Sequence, residues 1–197
     1  MTDRNQKYIN TAKVEEILWH RLTTSYGRAT LFPQYFKVLE TMQDTDKIKT
    51  ALDEISINIE HQSTLWHATP FALIFLTRIF RKALTQSGTN KNAFCIAEEL
   101  LKVFTVIAES FCEGEVLEHA NPLPFFEDML KEKYLWSEVY NEDEDELRYE
   151  EDDVFPNDLF YSFYYYSFEV LKTYQEEFAK LKDTEFADFD QLPYLLT

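Results

Sequence analysis

The segment from Thr69 to Gln86 reads TPFALIFLTRIFRKALTQ and is apolar on most sides of a helix. A threonine followed by proline favours a helix start, because the hydroxyl can cap the first turn and proline is tolerated at the first helical position. The apolar run from residue 71 to residue 76 soon meets three basic residues, so it is far shorter than the ~20 residues that span a bilayer. The sequence therefore predicts a central helix over residues 70–86 and no membrane segment.

On both sides of this helix, apolar residues recur at spacings of three and four, the period of an amphipathic helix. Ile48, Leu52 and Ile55 form the clearest stripe. The predicted helices cover about residues 13–26, 33–42, 45–59, 70–86, 92–112, 121–136 and 158–182. Only three glycines and six prolines are present, too few for the turns of an all-β sandwich or barrel. We therefore expect an all-α fold, with antiparallel helical hairpins stacked side by side in one domain over residues 1–197.

The charge is strongly negative and unevenly distributed. There are 36 Asp and Glu against 19 Lys and Arg, which gives a formal charge of −17. The first 100 residues hold 11 acids and 12 bases, whereas the remainder holds 25 acids and 7 bases. Contacts to phosphates need a basic surface, so direct binding of nucleic acid is not expected. Net charge governs association, and this asymmetry favours a basic protein partner.

The most acidic segment runs from Asn141 to Asp153 and contains nine acids and one base. It predicts an acidic loop, insertion or frayed helix at about residues 141–155. The segment either only raises solubility or steers a basic partner towards nearby aromatic anchors. Six aromatic rings between residues 160 and 166 cannot all be buried by one helical face, so some of them point either to a neighbouring helix or to a partner. The candidate partner-binding residues are Asp143, Glu144, Asp145, Glu146, Glu150, Glu151, Asp152, Asp153, Tyr149, Tyr161 and Tyr165.

A more specific pattern precedes the central helix, where residues 61–70 read HQSTLWHATP and residues 71–76 read FALIFL. This stretch resembles a signature of bacterial HEAT-like helical-repeat proteins, in which His-Gln-Gly-Thr, an aromatic residue and Ala-Thr precede a helix with a Pro-Phe-Leu-like run. Trp66 takes the aromatic position, and Ser63 replaces a glycine at a turn where positive φ favours glycine. The resemblance covers about residues 45–85. It implies a HEAT-like short solenoid and a role like that of immunity proteins encoded beside secreted polymorphic toxins.

Catalytic and metal-binding patterns are missing from the sequence. There is no Gly-x-Ser-x-Gly elbow, no glycine-rich phosphate loop and no cysteine pair at zinc spacing, so we expect neither an enzyme nor a cofactor. His61 and His67 are six residues apart, a spacing that does not place two imidazoles on one helical face. We instead expect His61, Gln62 and Thr64 to hydrogen-bond backbone groups where two helices meet.

The cysteines and the N-terminus indicate a reducing compartment. Cys95 and Cys112 lie on one predicted helix, about 25 Å apart at 1.5 Å per residue, so they cannot form a disulfide. Their apolar neighbours favour buried free thiols. The N-terminus is polar and lacks the apolar core of a secretory signal, which favours a cytoplasmic location.

These observations lead to one functional hypothesis and two alternatives. The leading hypothesis is an immunity protein that binds and occludes a basic, cytosol-acting toxin domain through an acidic, aromatic-rich surface. One alternative is a nucleic-acid mimic that inhibits a restriction or defence enzyme. The other is a helical-repeat adaptor or chaperone, for which the acidic segment would only be solubilising surface.

Overall fold

The computed structural model describes residues 1–112, 120–150 and 155–197. Within these ranges the chain forms nine α-helices and two small β-hairpins, so the all-α class is confirmed. The helices are α1 (Asp3–Thr11), α2 (Phe32–Thr41), α3 (Thr45–Ile59), α4 (Ala68–Gln86), α5 (Lys91–Cys112), α6 (Glu142–Glu150), α7 (Asn157–Lys172), α8 (Gln175–Ala179) and α9 (Leu192–Leu195). Short 3-10 turns connect several of them. The stacking of the hairpins as a HEAT-like solenoid stays a prediction.

Helix α4 forms the centre of the core, as its composition predicts. It packs against α2, α5 and α7, and Phe71, Leu76 and Phe80 are fully buried. Its N-terminus differs in detail from the prediction, because the helix begins at Ala68 rather than at Pro70. The Thr69 hydroxyl donates to Ile59 O at 2.5 Å and accepts from Trp66 N at 2.9 Å. Thr69 therefore ties the end of α3 to the start of α4 instead of capping the first turn.

Two β-hairpins precede helices α2 and α4. Hairpin 1 pairs β1 (Thr23–Thr24) with β2 (Gly27–Arg28), and hairpin 2 pairs β3 (Glu60–His61) with β4 (Thr64–Leu65). The turn residues Gln62 and Ser63 have φ of 53° and 62°, the left-handed conformation that a two-residue hairpin turn requires. Ser63 therefore adopts the conformation for which glycine is favoured. The Tyr164 hydroxyl supports this turn by accepting from Leu65 N at 3.2 Å and donating to Ser63 O at 3.1 Å.

The predicted helix over residues 13–26 is wrong. This stretch forms the 3-10 turns Val14–Glu16 and Trp19–Arg21, followed by hairpin 1. Long-range hydrogen bonds override its helical spacing: Ser25 N donates to Asn58 O at 3.1 Å, and Thr24 Oγ1 donates to Asn58 Oδ1 at 2.8 Å. Gly27 lies inside β2 with φ of 125° rather than at a helix end.

The predicted helix over residues 121–136 is also wrong, since the structure has 3-10 turns at Phe126–Leu130 and Glu132–Tyr134. Pro122 and Pro124 oppose helix, because each removes a backbone donor and restricts the residue before it. Asn5 supplies replacement bonds, accepting from Phe126 N at 2.9 Å and donating to Pro124 O at 3.4 Å. A side chain 119 residues away therefore replaces the local helical bonds.

Two further expectations need correction. The predicted helix over residues 158–182 is broken after Lys172, and α8 restarts at Gln175. Cys95 and Cys112 lie on the single helix α5 and are not paired with each other, but both are exposed rather than buried. Apolar neighbours in sequence do not bury a thiol, because adjacent helical residues point in different directions.

Candidate protein-binding site

Helix α6 is the acidic segment of the sequence and is held in place from both ends of its first turn. Asn141 caps it, with Glu144 N donating to Asn141 Oδ1 at 3.3 Å and Asp145 N to Asn141 O at 2.9 Å. Acidic residues from Glu142 to Asp145 occupy the first turn, where the helix dipole favours negative charge. Residues 142–150 of the acidic segment therefore form a helix and not a loop.

A buried ion pair attaches α6 to hairpin 1. The Arg28 guanidinium donates to both carboxylate oxygens of Asp145, with Nε–Oδ2 and Nη2–Oδ1 distances of 2.6 Å. Their side chains are 4% and 8% exposed. Arg28 Nη1 also donates to His20 O at 2.9 Å and to Ser137 O at 2.7 Å, so the guanidinium is largely satisfied by its neighbours. Asp145 therefore orients α6 and is not part of an exposed acidic surface.

A cavity of about 470 Å³ opens between α6, hairpin 1 and Trp66, the residue that follows hairpin 2. Its walls come from three separate parts of the chain, which meet only in the folded protein. The lining consists of residues 23–27 of hairpin 1, Trp66 after hairpin 2, Trp136 and Tyr140 before α6, and Glu142, Asp145 and Glu146 of α6. This is a concave site with aromatic walls and one acidic helical face, a composition typical of a binding pocket.

The acidic face of the cavity follows from helical geometry. Glu142, Asp145 and Glu146 stand at positions i, i+3 and i+4 and therefore project from one side of α6. Arg28 neutralises Asp145, whereas Glu142 and Glu146 form no ion pair within the residues that the structure describes. Both glutamates are exposed. The cavity thus presents two uncompensated negative charges to an incoming group.

Three polar atoms of the cavity residues have no hydrogen-bond partner in the described ranges: Thr23 Oγ1, Ser25 Oγ and Trp136 Nε1. Thr23 is 1% exposed and Trp136 is 6% exposed. Buried polar atoms are nearly always paired in folded proteins, because an unpaired one costs free energy. These three atoms are themselves buried in the cavity wall, so a ligand can pair with them only when the surrounding side chains shift.

Arg21 fixes the position of Trp136. Arg21 Nε donates to Trp136 O at 2.5 Å, and Trp136 N donates to Arg21 O at 3.2 Å. The same guanidinium binds both carboxylate oxygens of Glu132 at 2.6 and 2.9 Å, and this hydrogen bonding lowers the pKa of Glu132. Trp136 is therefore held at the cavity wall by main-chain contacts, and its indole N–H is buried without a partner in the described ranges.

Exposed apolar side chains line the cavity or lie close to α6 in the chain. Tyr26 and Tyr140, which line the cavity, are 62% and 60% exposed, and Val139 and Leu147, which flank the first turn of α6 in the chain, are 76% and 60% exposed. Single exposed apolar residues are ordinary, but several near one charged cavity resemble the mixed composition of protein interfaces. The exposed side of α6 is thus suited to contact with another protein.

The predicted carboxylates separate into distinct groups in the structure. Asp143 and Glu144 are exposed but do not line the cavity, whereas Glu146 is exposed and lines it. Asp145 is buried, so it is not an exposed steering charge, but it lines the cavity, and its contact with a partner stays a prediction. Glu151, Asp152 and Asp153 lie outside the described residues, and for Tyr149 and Glu150 the description covers only the helical backbone.

The predicted tyrosines of α7 lie outside the cavity. Tyr165 is half-buried and packs edge-on against Tyr166, with ring centroids 5.1 Å apart. Tyr161 is also half-buried and lies 6.3 Å from the Tyr165 ring. Tyr166 is 1% exposed and donates to Leu123 O at 2.6 Å. The rings that one face of α7 cannot bury are therefore taken up largely by neighbouring segments.

The predicted polar cluster at hairpin 2 consisted of His61, Gln62 and Thr64, but in the structure His67 makes the buried hydrogen bond to the backbone. His67 is fully buried, stacks on Phe163 at 5.0 Å, and donates from Nε2 to Met129 O at 2.9 Å. Burial lowers the pKa of His67 to about 4, so the imidazole is neutral at physiological pH. His61 instead lies near the Tyr26 hydroxyl, with 3.4 Å between Nε2 and Oη. The backbone bonds at this junction thus depend on His67, Thr69 and Tyr164.

No model of a protein family, no curated protein and no solved structure matches this chain. None of the helices in the described ranges combines the length and apolar character needed to cross a bilayer. Within residues 1–112, 120–150 and 155–197, no three His, Cys, Asp or Glu side chains gather in a way that could hold a metal ion.

Several cavity residues were not predicted. Thr23, Ser25 and Tyr26 lie in a stretch whose spacing predicts a helix, and the sequence identifies Trp66 only as the aromatic position of the family signature. One signal for the hairpin residues is present in the sequence, since the consecutive threonines before Ser-Tyr-Gly at residues 25–27 are typical of a β-hairpin. A second signal concerns the other wall of the cavity, since Trp136 and Tyr140 precede the acidic segment. Their convergence depends on contacts between distant parts of the chain.

Proposed function

We propose that this protein is an immunity-type binding protein that occludes a basic toxin or effector domain. The binding surface consists of the α6 cavity and the exposed side of α6, which together we name the α6 face. One observation carries the proposal: a cavity with aromatic walls contains two carboxylates, Glu142 and Glu146, that form no ion pair within the residues that the structure describes. Such a site suits a cationic group of a protein partner.

Charge and rigidity both support binding at the α6 face. Exposed carboxylates accelerate encounter with a basic partner, and this steering weakens with salt because the Debye length is about 8 Å at physiological ionic strength. The Arg28–Asp145 pair and the Asn141 cap hold α6 in place before a partner arrives. A surface that is already ordered loses less conformational entropy on binding.

The exposed apolar residues favour direct protein binding over imitation of nucleic acid. A mimic needs carboxylates spread along a long face, whereas the exposed acids of α6 are interrupted by Leu147 and preceded by Val139 and Tyr140. Exposed apolar side chains contribute to a protein interface but add nothing to an array of phosphate-like charges.

The test begins with purification of the partner on the tagged protein at moderate salt, followed by its identification and separate expression. We expect the partner domain to be basic and to impair growth when produced alone, and we expect co-production of this chain to restore growth. Double substitution Glu142→Gln with Glu146→Gln should reduce that protection. A partner that is acidic, or whose activity is unchanged by saturating amounts of this chain, would contradict the proposal.

A further inference from the structure

We infer that the α6 cavity receives an arginine side chain of the partner protein together with the adjacent main chain. This inference rests on the proposed function and names the chemical group recognised at the α6 face. The first argument is charge. Arg28 satisfies Asp145 within the fold, and Glu142 and Glu146 are left to face the cavity without an ion pair in the described part of the chain. A cation from outside is the complementary group.

The aromatic walls favour a guanidinium over other cations. A planar guanidinium stacks on Trp and Tyr rings, whereas an ammonium acts as a compact, strongly hydrated charge. The chain already contains this interaction at the edge of the cavity. The Cζ atom of Arg28 lies 5.6 Å from the Trp136 ring centroid and 5.4 Å from that of Tyr140. Two rings that line the cavity therefore accommodate a guanidinium in the folded protein.

The cavity residues also contain polar atoms without a partner in the described ranges, which an entering ligand can reach when the wall side chains adjust. The hydroxyls of Thr23 and Ser25 can donate or accept, whereas the Trp136 indole N–H can only donate. A ligand that pairs with all three atoms therefore needs at least one acceptor, and its donors can pair with the hydroxyls. A peptide arginine has five N–H donors on its side chain and a carbonyl acceptor in its main chain, whereas an inorganic cation has neither.

The cavity also has the size for this ligand. Pockets of roughly 300–1,000 Å³ hold ligands of drug-like size, and this cavity measures about 470 Å³. One extended side chain with its flanking peptide groups falls within that range. Tyr26 and Tyr140 both line the cavity and are largely exposed, so the cavity is reached from the protein surface and a side chain can enter it from a loop or terminus of the partner.

The probe for this inference is the blocked tripeptide acetyl-Gly-Arg-Gly-amide, added at millimolar concentration to the full chain. The readout is the indole N–H resonance of each tryptophan in protein labelled with ¹⁵N-tryptophan, assigned by Trp→Phe variants. We expect the Trp136 resonance to shift in a saturable manner. Trp19 is an internal reference, because it is 4% exposed and its indole already donates to Val14 O at 2.9 Å.

Two comparisons separate specific recognition from general attraction. The citrulline tripeptide keeps the shape of arginine without its charge and should produce no saturable shift, and the lysine tripeptide should bind more weakly than arginine. Substitution of Glu142→Gln with Glu146→Gln should weaken arginine binding about fivefold. The matched control, Asp143→Asn with Glu144→Gln, removes the same charge from the same helix but alters no cavity residue. It should leave the affinity within about twofold.

Three results would overturn the inference. They are no Trp136 shift with the arginine peptide, an equal shift with the citrulline peptide, or an equal loss of arginine affinity in the cavity double variant and in the matched control double variant. Each leaves the proposed function standing if the partner still binds through general charge attraction. Conversely, if the peptide shifts Trp136 but the purified partner binds elsewhere on the chain, the proposed function fails while the cavity remains an arginine site.

Discussion

Arg28 and Asp145 are 117 positions apart in the chain and form a two-pronged ion pair at 2.6 Å that is almost fully buried. Arg28 belongs to the half of the sequence with balanced charge, and Asp145 belongs to its most acidic segment. The pair therefore uses one negative charge of that segment to position the others. It also closes one side of the cavity, since Asp145 lines it.

The variant Asp145→Asn should destabilise the fold by about 3 kcal/mol, because loss of one partner leaves the buried guanidinium without its counter-charge. Urea denaturation gives this difference in the free energy of unfolding. Asp143→Asn, an exposed change on the same helix, should alter it by less than about 0.5 kcal/mol. A loss below about 1 kcal/mol for Asp145→Asn would show that the pair does not hold α6.

Stability should fall in mildly acidic solution because of His67. Burial lowers the pKa of His67 in the folded state to about 4, whereas in the unfolded chain it is about 6.5. Between these values only the unfolded chain binds the proton, so the contribution of His67 to stability is complete above about pH 6.5 and is lost as the pH falls towards 4. From about pH 7 to about pH 5 the loss is about 2 kcal/mol.

The control for His67 is the variant His67→Gln, which keeps an N–H donor for Met129 O but does not titrate in this range. The carboxylates contribute equally to the pH dependence of stability in the wild type and in the variant. The wild type should therefore lose about 2 kcal/mol more than the variant between the two pH values, as measured by urea denaturation at each. Parallel pH profiles would contradict a neutral, buried His67.

Tyr165→Ala should destabilise the free protein by roughly 1–3 kcal/mol, because the half-buried ring packs against Tyr166 and the core. Tyr26→Ala is the matched change at the cavity mouth, where the ring is 62% exposed, and it should cost less than about 1 kcal/mol. Thermal melting compares the two variants. A larger loss of stability for Tyr26→Ala than for Tyr165→Ala would contradict the packing role of Tyr165 and favour a role at an interface.

The exposed carboxylates should act on the rate of association with the partner. A variant combining Asp143→Asn, Glu144→Gln and Glu146→Gln omits the buried Asp145, so its fold should be retained. We expect it to associate more slowly and with a weaker dependence on salt, because exposed charges act mainly on encounter. Surface plasmon resonance with the identified partner measures both. An unchanged association rate would leave solubility as the role of these charges.

The sequence predicted best those elements whose stability comes from their own periodicity. Helix α3 has the predicted bounds, and α5 and the end of α4 lie within one residue of the predicted bounds. Each of these helices has an apolar stripe that can be buried in only one orientation against the core. The predictions failed where distant side chains supply the hydrogen bonds. Asn58 binds hairpin 1, and Asn5 binds the proline-rich segment before residue 126. Local spacing carries no information about such partners.

The sequence by itself determined the all-α class, the central position of α4 and the concentration of negative charge in the second half, because composition and period act over a few neighbouring residues. The tertiary structure decided which of those charges are available. Asp145 and Glu146 are adjacent in the chain, yet one is buried against Arg28 and the other faces the cavity. Adjacent helical residues point in different directions, and only the packing of α6 on hairpin 1 assigns each direction to the interior or the cavity.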